Sequence, residues 1–282
     1  MNPRINLRRR SHSALPVLML LFLASPAAIA STRVDLNGDW QFKTDPSKSG
    51  EQQGWTSQMP AGTETVRVPH TWNIGKYEDF EGTGWYFKTF EVPAELRAKH
   101  VELHFGATFY KSRVWLNGKE VGGHEGGHTA YFFAVTPLLG SVNFLAVQIN
   151  NQPTTQSIPG WAMKLSGDGN VWYDWWHYGG IVRDVWLTVN EPTLLRRQQI
   201  RSKVEAGAAT VSDRVFLENH GKRAVAVKLL AKAWPPEGGS PAASTEQLVN
   251  LTPGGQEAGL TLRSITLHRH SIPGFAITAE IL

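Results

Sequence analysis

The sequence predicts an all-β chain built from two consecutive β-sandwiches, and three observations predict it. Apolar residues recur at every second position in short runs, the period of a half-buried strand. No window of a dozen residues holds a persuasive 3.6-residue period, and Ala94 to His100 offers at most one or two helical turns. Tryptophan divides the chain: ten of the eleven lie between Trp40 and Trp186, so composition changes near residue 190.

Taken in order, the first thirty residues read as a leader rather than as fold. Arg4, Arg8, Arg9 and Arg10 form a basic start. The apolar run from Ala14 to Ala24 is too short to span a bilayer as a helix, and Ala28-Ile29-Ala30 is a small-x-small cleavage site. The mature protein is expected to start near Ser31, exported to a periplasmic or extracellular space, with no membrane span after cleavage.

From residue 31 to 193 the expectation is one sandwich or jelly roll. VELHF (Val101 to Phe105) sets Val, Leu and Phe against Glu and His and reads as half-buried. Asn117-Gly118 between β-rich flanks is a hairpin signal. Leu145, Val147 and Ile149 share one face of the next run, and Val185, Leu187 and Val189 share one face of another. Glu191-Pro192 then ends this unit.

Residues 194–282 are expected to form an immunoglobulin-like sandwich, complete or cut short. Thr210 to Asn219 and Ala224 to Trp234 are its best strands, and Val225, Val227, Leu229 and Ala231 alternate in the second. Pro235 to Ser244 is a loop, and Gln247 to Leu251 and Leu260 to Leu267 are further candidates. That makes four or five strands where such a sandwich has about seven. The residues from Leu260 onward fit the pattern poorly.

Composition excludes several chemistries. The formal charge of +4 comes from the four leader arginines, so the remainder balances at 24 − 24 = 0 and nothing points to nucleic acid. With no cysteine there is no disulfide, thiolate metal site or cysteine nucleophile. His124-Glu125-Gly126-Gly127-His128 has the spacing of a zinc protease motif, but that chemistry needs a helix. Each interior glycine costs about 1 kcal/mol against one. The plainer reading is a glycine-rich loop between strands, with no metal site. Glu78, Asp79 and Glu81 are close enough in sequence to suggest paired carboxylates, yet they stand in a polar, turn-like stretch. Nothing there suggests the burial that raises an acid's pKa.

WYDWWHYGG (Trp172 to Gly180) is harder to dismiss, because it places rings around one acid, Asp174. Aromatic faces stack on sugar rings, and a carboxylate accepts strong hydrogen bonds from neighbouring hydroxyls. The bland alternative makes Trp172, Trp175, Trp176 and Tyr178 core and Asp174 a turn cap. Composition leaves both open.

Five ordered stretches, LNGDWQF, VPHTWN, GWYFKTFEVP, VWLNGKEVGGHEGGHTAYFFAVT and YDWWHYGGIVRDVWL, together resemble the N-terminal sugar-binding domain of glycoside hydrolase family 2. That family includes β-galactosidases, β-glucuronidases and β-mannosidases. The resemblance runs from Val34 to Pro192; His128 and Ala130 depart from the usual Tyr and Pro in the glycine-rich stretch. It implies a jelly roll, an immunoglobulin-like domain and then a (β/α)₈ barrel holding both catalytic glutamates. A barrel would need ~250 further residues. The expectation is therefore a non-catalytic part of a glycoside hydrolase, with no catalytic residue here and no cofactor beyond a sodium ion near Asp174. Its partners would be a carbohydrate with a terminal β-linked sugar, held β-galactosidase-fashion, and the catalytic barrel. Asp174 matches the family's sugar-gripping aspartate and Asn73 an asparagine from a neighbouring loop. Trp175, Trp176 and Tyr178 would wall the pocket. A free-standing carbohydrate-binding module or lectin is the alternative.

Overall fold

Alternation becomes pairing along most of the chain. The computed structural model describes residues 31–158, 176–205, 208–235, 238–266 and 276–281. Every strand pairing among them is antiparallel. The fold is all-β. The leader, Asp174 and Trp175 lie outside the described residues.

The first sandwich has a four-stranded and a six-stranded sheet. β1 (Thr32–Asp35), β5 (His100–Phe105), β8 (Tyr131–Ala134) and β10 (Val185–Asn190) form the smaller, in the order β1-β10-β5-β8. The larger contains β2 (Gly38–Thr44), β3 (Glu64–Val68), β4 (Thr83–Glu91), β6 (Lys111–Leu116), β7 (Lys119–Glu125) and β9 (Val142–Asn150). Its order is β3-β2-β4-β9-β6-β7. Leu145, Val147 and Ile149 of β9 face Leu187 and Val189 of β10 in one buried core with Trp40 and Trp72. Asn117 and Gly118 join β6 to β7 with φ of 52° and 78°, the left-handed pair that a two-residue hairpin of this twist needs. The helical segment at Ala94–Arg97 is a single turn.

The larger sheet is buried on both faces near its centre. Tyr86 of β4 points into the main core, while Trp85 and Phe87 join Trp55 and Trp115 in a second cluster. The loop after β2 covers them. Asp45 organises that loop by accepting hydrogen bonds from the amides of Ser49 and Gly50 and from the Trp85 indole at 3.1 Å.

The second sandwich stacks two three-stranded sheets, β11-β12-β15 and β14-β13-β16. These are β11 (Thr193–Glu205), β12 (Ala208–Asn219), β13 (Val225–Trp234), β14 (Ala243–Leu251), β15 (Gly254–Thr266) and β16 (Ala276–Ile281). Val215, Leu217, Leu229, Ala231 and Leu251 fill the space between them. Among the described residues six strands stand where the sequence suggests four or five; β11 and β16 are the additions. Leu260 lies inside β15 and Ile281 pairs with Leu229, so the described residues beyond Leu260 do join the sandwich.

One strand departs from its pattern. The alternation in β5 predicts a polar face in water, yet Glu102 is 1% exposed and His100 5%. Residues of the second sandwich cover that face, with Arg196 of β11 donating to Glu102.

Candidate functional site

Two segments outside the strands lie edge to edge. The His70 amide donates to the Ile181 carbonyl at 2.7 Å and the Trp72 amide to Gly179 at 3.0 Å. Phe109 and Gly180 exchange two backbone bonds, at 2.8 and 3.1 Å. Stretches around residues 70, 109 and 180 thus form one small patch. The paired glycines permit it. A Cβ on Gly179 would stand 1.9 Å from the Trp72 ring, and one on Gly180 2.3 Å from the His70 carbonyl oxygen. Gly180 also holds φ at +144°, a conformation L side chains rarely adopt.

Asn73 joins the loop after β3 to this patch. Its Nδ2 donates to the carbonyls of Glu78 at 3.0 Å and Phe80 at 3.1 Å, with Tyr77 at 3.5 Å. Its Oδ1 accepts from the Gly179 amide at 2.7 Å and from Asn151 Nδ2 at 3.3 Å. Asn151 in turn donates to the His177 carbonyl at 2.8 Å and accepts from the Gly82 amide. The Asn73 side chain is buried and its donors and acceptor are all engaged, so it shapes the loop and offers a ligand no free polar atom.

A cavity of about 630 Å³ opens against the patch. Pro69, Ile74, Phe109, Tyr178 and Val182 form its apolar lining, and His70, Thr71, His128 and Arg183 its polar groups. An apolar hollow with a few placed polar groups is the form of a small-molecule site. Trp176 is 48% exposed and Tyr178 45%, so neither ring is core. Asp174 and Trp175, the other residues expected here, lie outside the described residues.

The polar groups differ in what they can offer. The Thr71 hydroxyl is buried and has no hydrogen-bond partner among the described residues. Arg183 is exposed, gives one N–H to the His128 carbonyl at 3.3 Å, and makes no ion pair among the described residues. His70 lies 2.7 Å from the Tyr86 hydroxyl, and burial lowers its pKa below the usual imidazole value more than the field of Glu64 raises it. It is therefore neutral at neutral pH. Among the described residues the lining contains no carboxylate, so these groups can hold a polar ligand but supply no acid–base pair for glycoside cleavage.

The other sequence candidates lie apart from this chemistry. Glu78, Asp79 and Glu81 are exposed, as a solvated cluster should be. His124 and Glu125 end β7, and His124 pairs with Thr129 and stacks on Tyr131. His128 alone of that motif reaches the cavity. Among the described residues no three His, Cys, Asp or Glu side chains come together as metal ligands. The sodium ion expected near Asp174 concerns a residue outside the described ones. Sequence reasoning did not single out His70, Thr71, Phe109 or Arg183. The signal was present in part: His70 and Thr71 stand in VPHTWN, and Arg183 in the stretch that closes YDWWHYGGIVRDVWL.

Comparison with known proteins gives this cavity a context. Residues 77–192 match the family model described as glycosyl hydrolases family 2, sugar binding domain. A β-glucuronidase of Paenibacillus borealis is 27% identical over 192 residues, 63% of this chain and 32% of its own length. A β-galactosidase of Thermoanaerobacter pseudethanolicus is 30% identical over 165 residues, 57% of this chain and 20% of its own. The crystal structure of Ruminococcus gnavus β-glucuronidase superposes with a TM-score of 0.70 at 25% identity, covering 89% of this chain and 42% of that one. The chain thus spans less than half the length of each. The matched model, the relatives and the shared two-sandwich fold agree: this chain is similar to the N-terminal part of family 2 glycoside hydrolases, a sugar-binding domain followed by an immunoglobulin-like sandwich.

Proposed function

We propose that the chain holds the terminal β-linked sugar of a substrate that a family 2 catalytic barrel, outside these 282 residues, hydrolyses. The observation that supports this best is the coincidence of the sugar-binding match at residues 77–192 with five of the cavity-lining residues, Phe109, His128, Tyr178, Val182 and Arg183. Asp174 would grip sugar hydroxyls from the same stretch, beside the exposed rings of Trp176 and Tyr178. The sugar is a galactoside or a glucuronide, the substrates named for the relatives above. The basic, apolar leader supports export to a periplasmic or extracellular space.

With no acid–base pair among the described lining residues, the chain alone should not turn over nitrophenyl β-galactoside, β-glucuronide or β-mannoside. Turnover that Asp174→Ala abolishes would contradict the proposal, because chemistry would then reside here. A second reading, a free-standing lectin, rests on the form of the cavity, an apolar hollow with a few placed polar groups. Binding tighter than about millimolar by the chain alone would support the lectin.

A further inference from the structure

The junction between the sandwiches holds an ionic cluster unrelated to the cavity. The ladder between β11 and β12 passes from Leu195–Leu217 directly to Arg197–Phe216, leaving Arg196 as the extra residue of a bulge. A bulge re-aims its side chain out of the ladder. Here the guanidinium reaches the first sandwich, where Nη2 lies 2.5 Å from Glu102 Oε1 and Nη1 3.3 Å from Oε2. The same Nη2 lies 2.6 Å from Glu218 of β12. Arg196 therefore bridges one carboxylate from each sandwich.

Three imidazoles complete the cluster. His100 and His104 of β5 each lie 3.0 Å from a Glu102 oxygen. His220, just after β12, lies 2.9 Å from Glu218 and hangs from the Pro192 carbonyl by its amide at 2.7 Å. The rings of His100 and His220 stack across the junction with centroids 3.5 Å apart and planes 6° from parallel. Opposite these β5 residues, β10 presents Trp186, Thr188 and Asn190, and β8 presents Phe132 and Ala134. None of these carries a charge. Lys99 and Glu191 form a separate pair at the rim, 2.6 Å apart.

We propose that Glu102, Arg196, Glu218 and the stacked His100–His220 pair form an acid-released clamp, which docks the sandwiches at neutral pH and frees them on acidification. With neutral rings the two carboxylates and one guanidinium sum to a single negative charge. One imidazolium balances it, whereas a charge on both rings of the His100–His220 stack places like charges face to face at 3.5 Å. Burial acts in the same direction, lowering the pKa of His100 more than its bond to Glu102 raises it. An undocked His100 regains its usual value near 6.5, so docking is complete above that pH and weakens as pH falls below it. Burial alone would raise the Glu102 carboxyl, but hydrogen bonds from His104, Arg196 and His100 hold it far below the usual range. Arg196 likewise lowers the Glu218 carboxyl. Both acids stay charged through the imidazole window.

The chain has no native cysteine, so paired spin labels can be placed freely. Lys119→Cys and Leu248→Cys put one exposed label on each sandwich of the full chain. Electron paramagnetic resonance should give one narrow distance at pH 7.5. By pH 5.5 the docking constant should fall about tenfold and the distribution broaden. Near-ultraviolet circular dichroism should stay unchanged, because each sandwich keeps its own core. His100→Gln, which can still donate to Glu102 but cannot titrate, should keep the narrow distance at both pH values. Arg196→Met should broaden it at both; should that variant fail to fold, the partly exposed Glu218→Gln should loosen docking at pH 7.5. An unchanged narrow distance in the folded wild type at pH 5.5 would overturn the proposal. So would undiminished docking in a folded Arg196→Met, or in Glu218→Gln.

Discussion

Gly179→Ala is expected to be the most damaging single change near the cavity. The new Cβ would fall 1.9 Å from the Trp72 ring, which is itself 1% exposed and packed on Phe42 at 5.6 Å. Neither ring can retreat into space, because the main core surrounds both. Overpacking of this kind costs about 3 kcal/mol, or roughly 10 °C in Tm for a domain of this size. Differential scanning calorimetry should show the loss in the transition of the first sandwich alone. Gly259→Ala is the control: its Cβ would meet nothing within 4 Å, and the change should be nearly neutral.

Asn73→Ala should rank second, through a different term. The substitution strands the Gly179 amide, which has its partner at 2.7 Å, and takes a 3.0 Å donor from the Glu78 carbonyl, while the Phe80 carbonyl keeps Trp72 Nε1 and Asn151 Nδ2. Stranding one buried polar group costs ~1–3 kcal/mol, so about 2 kcal/mol is expected. Hydrogen exchange localises the effect. The Gly179 amide should lose protection well beyond the global change, and so should the amides of Gly82 and Trp72, which bond into the same network. Asn73→Asp separates shape from acceptor capacity. It keeps an acceptor for Gly179 but sets a carboxylate against two carbonyl oxygens, and it should be nearly as damaging as alanine.

These two changes lie where sequence reasoning was least complete. A strand with one face buried is legible, as Leu145, Val147 and Ile149 of β9 show. β4 is not, because its second face is covered by the loop that Asp45 holds, so TGWYFKTFE shows no alternation. β11 fails for the opposite reason: Arg201, Ser202, Lys203 and Val204 are all exposed, and no apolar period survives. Glu102 reads as solvent-facing because the cation that lets it be buried stands 94 residues away. The cavity has the same difficulty. His70, Phe109, His128, Tyr178 and Arg183 come from four separate segments, and no spacing rule connects them. Gly179 and Gly180 of WYDWWHYGG admit Trp72 and His70 at distances no side chain would permit.

The sharpest test is a nuclear magnetic resonance titration of the full chain with methyl β-galactoside and methyl β-glucuronide. One of the two should bind at about millimolar concentration. It should move the Trp176 indole signal and the Tyr178 and Arg183 amides together, and Asp174→Ala should remove the response. Shifts confined to residues remote from that hollow, or a response that survives loss of the carboxylate, would show that the sugar is held elsewhere.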